Sequence, residues 1–288
     1  MRSLLFVPAH DARKLAKGLE CRADALILDL EDAVPQADKA RARGMCAEFV
    51  AAHQARMPLI VRVNAASTGM LLDDLAAVVR ARPYGIMLPK CAGNADLLQV
   101  DAYLSALEAR EGIAQGTLRV LPIVTETAAA MLQMGSYGAA SPRLCGMLWG
   151  GEDLAADIGA VANKNAQGAY TAPYVLARTL TLLGASAAQV AAVDAVYTNF
   201  RDPDGLREEA TQALRDGFSG KAAIHPDQVA VINAAFTPDD KDVARAHEVI
   251  AAFDANPHTG AISLHGQMLD RPHYRSAQRV LARARTAR

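Results

Sequence analysis

The sequence has few cysteines and no long apolar or basic run, and each of these absences removes a class of protein. The four cysteines, Cys21, Cys46, Cys91 and Cys145, stand outside metal-binding or redox spacing of one another. Thirty basic residues are balanced by thirty-one acidic ones without a basic cluster, so nucleic acid is not an expected partner. No apolar run approaches the roughly 20 residues of a membrane span. We therefore expect a cytoplasmic protein with reduced, packed thiols and no membrane partner.

Other signals are also missing near the start of the chain. No basic leader precedes a long apolar stretch, which predicts that there is no signal peptide. The sequence contains neither an internal repeat nor a low-complexity tract. About half of its 288 residues are apolar, and its net charge is −1. This composition predicts a large buried core, in one barrel or in two smaller domains.

Short apolar segments alternate with helical patterns along most of the chain. Most of the segments are continuous apolar runs, as in parallel strands that are covered on both faces. Eight such units predict an α/β fold of the (β/α)₈ (TIM) barrel class. An open doubly wound sheet is less favoured, because no glycine-rich G-x-G-x-x-G turn follows the first strand. The strands are predicted at 3–8, 25–30, 59–63, 85–89, 119–125, 145–149, 193–198 and 221–225.

Helix start signals support this division. Asp11 is a predicted N-cap, and Asp202-Pro203 combines a cap with a first-turn proline. The predicted domains are a barrel over 1–236 and a helical extension over 237–288, which is expected to contact a neighbouring subunit. The helices are predicted at 11–23, 36–53, 70–81, 95–110, 172–183, 203–215 and 239–255, with a loop through 256–260 and a basic last helix.

Polar groups stand at the carboxyl ends of the predicted strands, where a barrel builds its active site. Glu126 ends strand five and Asp153 follows strand six. Adjacent strand ends lie about 5 Å apart, so two carboxylates there would repel without a cation between them. A hard divalent cation, Mg²⁺ or Mn²⁺, is the favoured explanation. The alternative is that each acid pairs with a lysine or arginine, or caps the following helix.

Strand two ends in an acidic cluster. Asp29 and Glu31 are predicted to point to one side and Asp32 to the other. A structural role is favoured for Asp29, whereas Glu31 and Asp32 are equally compatible with catalysis. Arg62 interrupts the apolar strand three, so it needs either a strand-two carboxylate or a substrate that develops negative charge.

Two groups of basic residues complete the candidate site. Lys90 ends strand four and is either a Schiff-base nucleophile or a cation beside the acids; the many carboxylates favour the second role. Arg13, Lys14 and Lys17 follow strand one, and they form either a phosphate site or a solvated helix face.

Eight motifs in order carry a family resemblance over nearly the whole chain. The sequence resembles the citrate lyase β-subunit-like branch of the HpcH/HpaI aldolase and citrate lyase family, which includes malyl-CoA, citramalyl-CoA and citryl-CoA lyases. The motifs are Leu5-Phe6-Val7-Pro8-Ala9, Asp29-Leu30-Glu31-Asp32-Ala33-Val34, Val61-Arg62-Val63-Asn64, Leu88-Pro89-Lys90, Gly150-Gly151-Glu152-Asp153-Leu154, Gly217-Phe218-Ser219-Gly220-Lys221, Ile224-His225-Pro226-Asp227-Gln228 and Asp270-Arg271-Pro272-His273.

The resemblance implies a barrel that is a homotrimer or a dimer of trimers. It implies that Glu126 and Asp153 are Mg²⁺ ligands and that Arg62 lies beside the reacting carbonyl of the substrate. It also implies that Asp270 completes the site of a neighbouring subunit. The reaction implied is the cleavage or formation of a β-hydroxyacyl-CoA thioester, with a 2-oxo acid and an acyl-CoA such as acetyl-CoA as the other partners.

The resemblance also assigns binding roles. Arg13, Lys14 and Lys17 fall where CoA phosphates bind, and the backbone at Gly151 and Glu152 is expected to hold the 2-oxo acid carboxylate. Many relatives have Gly-Thr or Gly-Ser where this chain has Gly150-Gly151, so a hydroxyl contact to the substrate is expected to be missing. The alternatives are a Schiff-base aldolase that uses Lys90 and a non-catalytic thioester-binding subunit of a larger complex.

Overall fold

A computed structural model of the chain describes residues 1–139 and 141–286. Its strands are β1 (Ser3–Pro8), β2 (Ala25–Asp29), β3 (Leu59–Arg62), β4 (Gly85–Leu88), β5 (Arg119–Pro122), β6 (Gly146–Leu148), β7 (Ala191–Asp194), β8 (Gly220–Ala223), β9 (Ala261–Leu264) and β10 (Gln267–Asp270). Its α-helices are α1 (Ala12–Gly18), α2 (Lys39–His53), α3 (Leu71–Val78), α4 (Asn94–Arg110), α5 (Ala128–Leu132), α6 (Glu152–Asp157), α7 (Ala172–Ala187), α8 (Pro203–Asp216), α9 (Pro226–Phe236), α10 (Asp240–Asp254) and α11 (Arg271–Thr286).

The first eight strands form one parallel sheet that closes on itself. Their order is β5-β4-β3-β2-β1-β8-β7-β6. Two parallel bridges, Val120 with Leu144 and Ile123 with Leu148, join the remaining edges of β5 and β6. The predicted (β/α)₈ barrel is therefore confirmed, and its strand ends converge on a common face.

The interior of the barrel is filled by apolar side chains from all eight strands, and alternation along the strands carries polar groups to the same side. In β2, Ala25 and Ile27 face the core, which places Asp29 on that side as well. The register pairs Asp29 with Arg62 on β3. The interior cluster consists of Leu4, Ala25, Ile27, Ile60, Met87, Leu121, Ile123, Leu148, Val193 and Ala222.

Both predicted N-caps are present. The Asp11 carboxylate accepts hydrogen bonds from the backbone N–H groups of Arg13 and Lys14. Asp202 accepts one from the backbone of Gly205, with Pro203 at the first position of α8. The predicted helix 11–23 is too long, because α1 ends at Gly18 and the chain then turns through a left-handed residue, Arg22, with φ of 59°.

The predicted position of strand seven, 193–198, is wrong: β7 covers Ala191–Asp194. The valine, tyrosine and threonine residues of 196–198 have high strand propensity and drew the prediction towards the carboxyl side. Asp194 ends the strand and is fully buried. Burial of this carboxylate is tolerated because Lys221 and Trp149 both donate hydrogen bonds to it.

The chain divides into two compact units, of which the first covers residues 1–232 and the second begins at 233. In the second unit α10, α11 and the antiparallel pair β9–β10 enclose a small core around Phe253. No strand was predicted here. His265 and Gly266, both with positive φ, form the two-residue turn of this hairpin.

Among the residues that the structure describes, no helix has the length and apolar character needed to cross a membrane.

Candidate active site

A cavity of about 230 Å³ opens among the residues that follow the barrel strands. Because these residues come from the carboxyl ends of most strands, the cavity lies where barrels of this class place their chemistry. Its lining consists of Phe6, Asp32, Arg62, Ile123, Glu126, Leu148, Trp149, Gly150, Gly151, Glu152, Asp153, Asn163, Tyr170, Ala195, Val196 and Ile224.

Arg62 combines an ion pair with a place in the cavity wall. Its Nε and Nη2 donate to the two oxygens of Asp29 at 2.8 and 2.6 Å. Its Nη1 lies 3.1 Å from Glu31 Oε2 and 3.6 Å from Asp32 Oδ2. Burial by itself lowers the pKa of this guanidinium, but the hydrogen bonds and charge of Asp29 outweigh burial and raise it. Of the two predicted partners of Arg62, the strand-two carboxylate is present as Asp29. Arg62 also borders the cavity, where a substrate could bind.

Lys90 links three of the acids. Its backbone is left-handed, with φ of 51°, and its N–H donates to Glu126 Oε2. Its Nζ lies 2.7 Å from Glu31 Oε1 and 3.2 Å from Asp153 Oδ1. Burial opposes the ammonium charge, but the hydrogen bond to Glu31 and the surrounding carboxylates raise the pKa above its ordinary value. A Schiff-base nucleophile needs a depressed pKa, so this geometry favours a charged lysine beside the acids.

Glu126 is an acid whose charge is poorly compensated. Glu126 is only 3% exposed. Burial raises its pKa to about 8, against the Lys90 backbone N–H that lowers it, and the charges of Asp153 and Glu31 raise it further. The pKa of Glu31 is also raised, mainly by burial. Arg62 and Lys90 form ion pairs with Asp29, Glu31, Asp32 and Asp153, and the charge of Lys39 acts on the three strand-two acids. Glu126 is held by the backbone N–H of Lys90.

This donor set fits a hard divalent cation. Glu126 and Asp153 both line the cavity and both contact Lys90, so an ion there would offset the negative charge that raises the pKa of Glu126. In the part of the chain that the structure describes, no three His, Cys, Asp or Glu side chains form a metal-holding group. Glu126 and Asp153 would be the protein ligands of such an ion, with water or substrate oxygens in the other positions, as is usual for Mg²⁺.

Glycine keeps the backbone close to these acids. A Cβ on Gly150 would lie 2.9 Å from Glu126 Cγ and 3.2 Å from Ile123 Cγ2. Thr125, which follows β5, keeps Gly150 in this position, because its hydroxyl accepts a hydrogen bond from the Gly150 N–H and donates one to the Gly150 carbonyl. A Cβ on Gly151 would lie 3.1 Å from the Trp149 ring. Gly150 thus allows the β6 end to pack against Glu126, and Gly151 allows the backbone to pass close to the Trp149 ring.

Other predicted residues lie in different surroundings. Glu152 borders the cavity and accepts a hydrogen bond from Asn163 Nδ2 at 2.7 Å. Arg13, Lys14 and Lys17 are exposed on α1 and do not line the cavity. Their phosphate role stays a prediction.

Asp270 belongs to the second unit, at the end of β10. There its Oδ1 lies 2.6 Å from Nδ1 of His273. Its contribution to a neighbouring site likewise stays a prediction.

Several residues of the site carried no usable signal in the sequence. Lys39 on α2 is 9% exposed, and its Nζ donates at 2.7 Å to the carbonyls of Leu30 and Glu31 and to Asn64 Oδ1. It fixes the loop that carries Glu31. Tyr170 lies in the segment between α6 and α7, which is far along the sequence from β6 and β7. A charged helix residue and a loop aromatic are usually solvent-facing, so their roles appear only in three dimensions.

The fold and the cavity define a (β/α)₈ protein with a cluster of acidic side chains at its strand ends. The family model for HpcH/HpaI aldolase/citrate lyase matches residues 2–226, and the chain belongs to this family.

The chain is 32% identical to the mitochondrial citramalyl-CoA lyase of Rattus norvegicus, over 98% of this chain and 86% of that protein. It is 35% identical to the (3S)-malyl-CoA thioesterase of Cereibacter sphaeroides, over 98% and 94%. Among solved structures it resembles the CitE protein of Mycobacterium tuberculosis in complex with magnesium, acetoacetate and coenzyme A. The TM-score is 0.81 and the identity 35%, with 98% of this chain and 97% of that chain covered.

Proposed function

We propose that this protein is a Mg²⁺-dependent carbon–carbon lyase that cleaves or forms a β-hydroxyacyl-CoA thioester, with a 2-oxo acid and an acyl-CoA as the other partners. The observation that carries the proposal is the pair of acids, Glu126 and Asp153, which border one cavity with Arg62 and both contact Lys90. The relatives named as a CoA lyase and a CoA thioesterase, and the CitE complex with magnesium and coenzyme A, support the substrate class.

Glu126 and Asp153 would hold the metal ion. A Mg²⁺ ion held there would supply Lewis-acid chemistry, which would lower the cost of removing the proton of a substrate hydroxyl. Lys90 keeps both acids in place, through its backbone N–H to Glu126 and its Nζ near Asp153. The backbone N–H groups of Gly151 and Glu152, at the start of α6 beside the cavity, would donate hydrogen bonds to the carboxylate of the 2-oxo acid.

The chain's own groups account for the proton movements and the developing charge. Glu31 or Asp32, next to Arg62, takes the proton of the substrate hydroxyl, and the adjacent carbon–carbon bond then breaks. The electron pair of that bond forms a thioester enolate, whose oxygen Arg62 stabilises. Arg62 Nη1 suits this role because its contacts, at 3.1 and 3.6 Å, are longer than those with Asp29. A proton delivered to the enolate carbon yields the acyl-CoA.

Asp270 is our candidate for that last proton transfer, supplied by a neighbouring subunit of a trimer or a dimer of trimers. It is partly exposed and is hydrogen-bonded to a ring nitrogen of His273, which can support proton exchange. The exposed cations Arg13, Lys14 and Lys17 are our candidates for the CoA phosphates.

Turnover of malyl-, citramalyl- and citryl-CoA by the purified chain tests the proposal. The released 2-oxo acid is measured with a coupled dehydrogenase, and the products acyl-CoA and free CoA are separated by chromatography. We expect a 2-oxo acid and an acyl-CoA in equal amounts, with turnover lost in EDTA and restored by Mg²⁺. Free CoA without a 2-oxo acid would indicate a thioesterase instead. Absence of turnover with every thioester would favour a thioester-binding subunit.

Asp153→Asn tests the metal site with little change of shape. We expect this variant to lose Mg²⁺ affinity and turnover, while Asp204→Asn, an 86% exposed acid on α8, behaves as the unaltered protein. Unchanged turnover by Asp153→Asn would contradict the metal assignment. Borohydride with substrate should leave Lys90 unlabelled, because its ammonium is paired with Glu31.

A further inference from the structure

The segment between α6 and α7, residues 158–171, supplies two residues to the cavity wall, Asn163 and Tyr170. It is folded onto itself by an antiparallel bridge between Lys164 and Tyr170, and the Thr171 N–H donates to the Asn163 carbonyl. We refer to residues 158–171 as the wall loop.

The wall loop is attached to the barrel by charged contacts. Lys164 Nζ lies 2.7 Å from Glu209 Oε2 on α8, and it stands over the rings of Tyr170 and Tyr197 at 4.5 and 5.0 Å. Glu209 Oε1 accepts from Lys221 Nζ on β8 at 2.8 Å. The position of Tyr170 therefore depends on a chain of charges that runs through α8 to Lys221 on β8, whose side chain lies on the opposite side of the strand from the interior residue Ala222.

Lys221 is the centre of this chain. Its side chain is completely buried, and its Nζ donates to Asp194 at 2.7 Å and to Glu209 at 2.8 Å. The other oxygen of Asp194 accepts the indole N–H of Trp149 at 2.7 Å. An ammonium that is sealed from water is tolerated only with such partners, and loss of one partner leaves an uncompensated charge.

Trp149 and Tyr170 meet at the cavity. Their ring centroids are 5.2 Å apart in an edge-to-face arrangement, and both residues line the cavity. One branch of the Lys221 network holds Trp149 through Asp194, and the other holds Tyr170 through Glu209 and Lys164. Neither Lys221 nor Glu209 lines the cavity itself.

We infer that Lys221, Glu209 and Lys164 are positioning residues that hold Trp149 and Tyr170 as an aromatic wall, and that this wall limits the size of the substrate's carbon skeleton. The role of the wall in substrate choice rests on the proposed function. The placement of the Trp149 and Tyr170 rings does not rest on the proposed function. The positioning role and the role in substrate choice can therefore be tested separately.

Glu209→Gln breaks the chain at its middle, and Glu208→Gln is its matched control, because Glu208 is the exposed neighbour on the same helix. Trp149 is the only tryptophan of the chain, so its emission reports on the wall alone. We expect Glu209→Gln to increase quenching of Trp149 by acrylamide. We also expect it to raise the KM for the thioester about tenfold with a smaller change in kcat, since a charged contact of a binding wall is lost.

Discrimination between thioesters that differ by one methyl group should also fall towards unity, because a fitted apolar pocket provides about tenfold or more for such a difference. Lys164→Gln removes the ion pair with Glu209 at the partly exposed end of the charge network and leaves Lys221 paired with both acids. It is the variant to measure if Glu209→Gln does not fold. Quenching equal to that of Glu208→Gln in the folded variants would overturn the inference. If the unaltered protein turns over no thioester, the proposed function fails, and the quenching data still decide the positioning role.

Discussion

Glu126→Gln should change the pH dependence of stability in a direction set by the pKa of Glu126. This carboxyl has an ordinary pKa of 4.5 and a folded-state pKa of about 8, raised by burial and by the neighbouring acids. The folded protein therefore keeps this proton where the unfolded chain has released it. Without metal, the contribution of Glu126 to stability falls as pH rises from about 4.5 to about 8, and then levels off.

The size of the effect follows from the two pKa values. At about 1.4 kcal/mol for each pH unit, their difference corresponds to about 5 kcal/mol in the free energy of unfolding. About half of this falls between about pH 6 and pH 9. Glutamine carries no proton to release and keeps an acceptor for the Lys90 N–H. Metal-free Glu126→Gln should therefore become more stable relative to the unaltered protein, by about 2–3 kcal/mol across this range.

The assay is urea unfolding at several pH values in a chelating buffer, followed by the fluorescence of Trp149, which lies in the barrel. Glu48→Gln, an exposed acid on α2, is the control and should parallel the unaltered protein. Added Mg²⁺ should stabilise the unaltered protein and not Glu126→Gln, because a ligand that binds only the folded state raises stability. Parallel pH curves for Glu126→Gln and the unaltered protein would refute the reasoning about its charge.

Three further predictions concern the same cavity. Gly150→Ala should weaken Mg²⁺ affinity about tenfold in calorimetry, because its Cβ would displace Glu126; Gly44→Ala, which has open space around it on α2, should leave the affinity unchanged. Lys90→Gln should lower the free energy of unfolding by about 1–3 kcal/mol and abolish turnover, since Glu31 loses a charged hydrogen bond; normal turnover would argue against its positioning role. Inactive Asp270→Asn and inactive Glu126→Gln chains, mixed as hetero-oligomers, should regain activity, and failure to complement would argue against a shared site.

The hydrophobic pattern was sufficient to predict the barrel, because strand burial and helix periodicity are encoded locally. Continuous apolar runs, separated by capped helices such as the one that begins after Asp11, gave the order and approximate bounds of the eight parallel strands. Their polar ends directed attention to Arg62, Lys90, Glu126 and Asp153, all of which lie in or beside one cavity. Strand propensity misplaced β7, because it favoured residues 196–198, whereas the strand ends at the buried Asp194.

Sequence by itself determined the succession of strands and helices in this protein and the charged groups at the strand ends. Only the tertiary structure decided which groups meet: register pairs Asp29 with Arg62, and a left-handed turn at Lys90 joins Glu126 to the other acids. The network around Lys221 depends on contacts between residues far apart in the chain. Local patterns specify the face on which a side chain lies, whereas the partner of a buried charge depends on how distant strands align when the barrel closes.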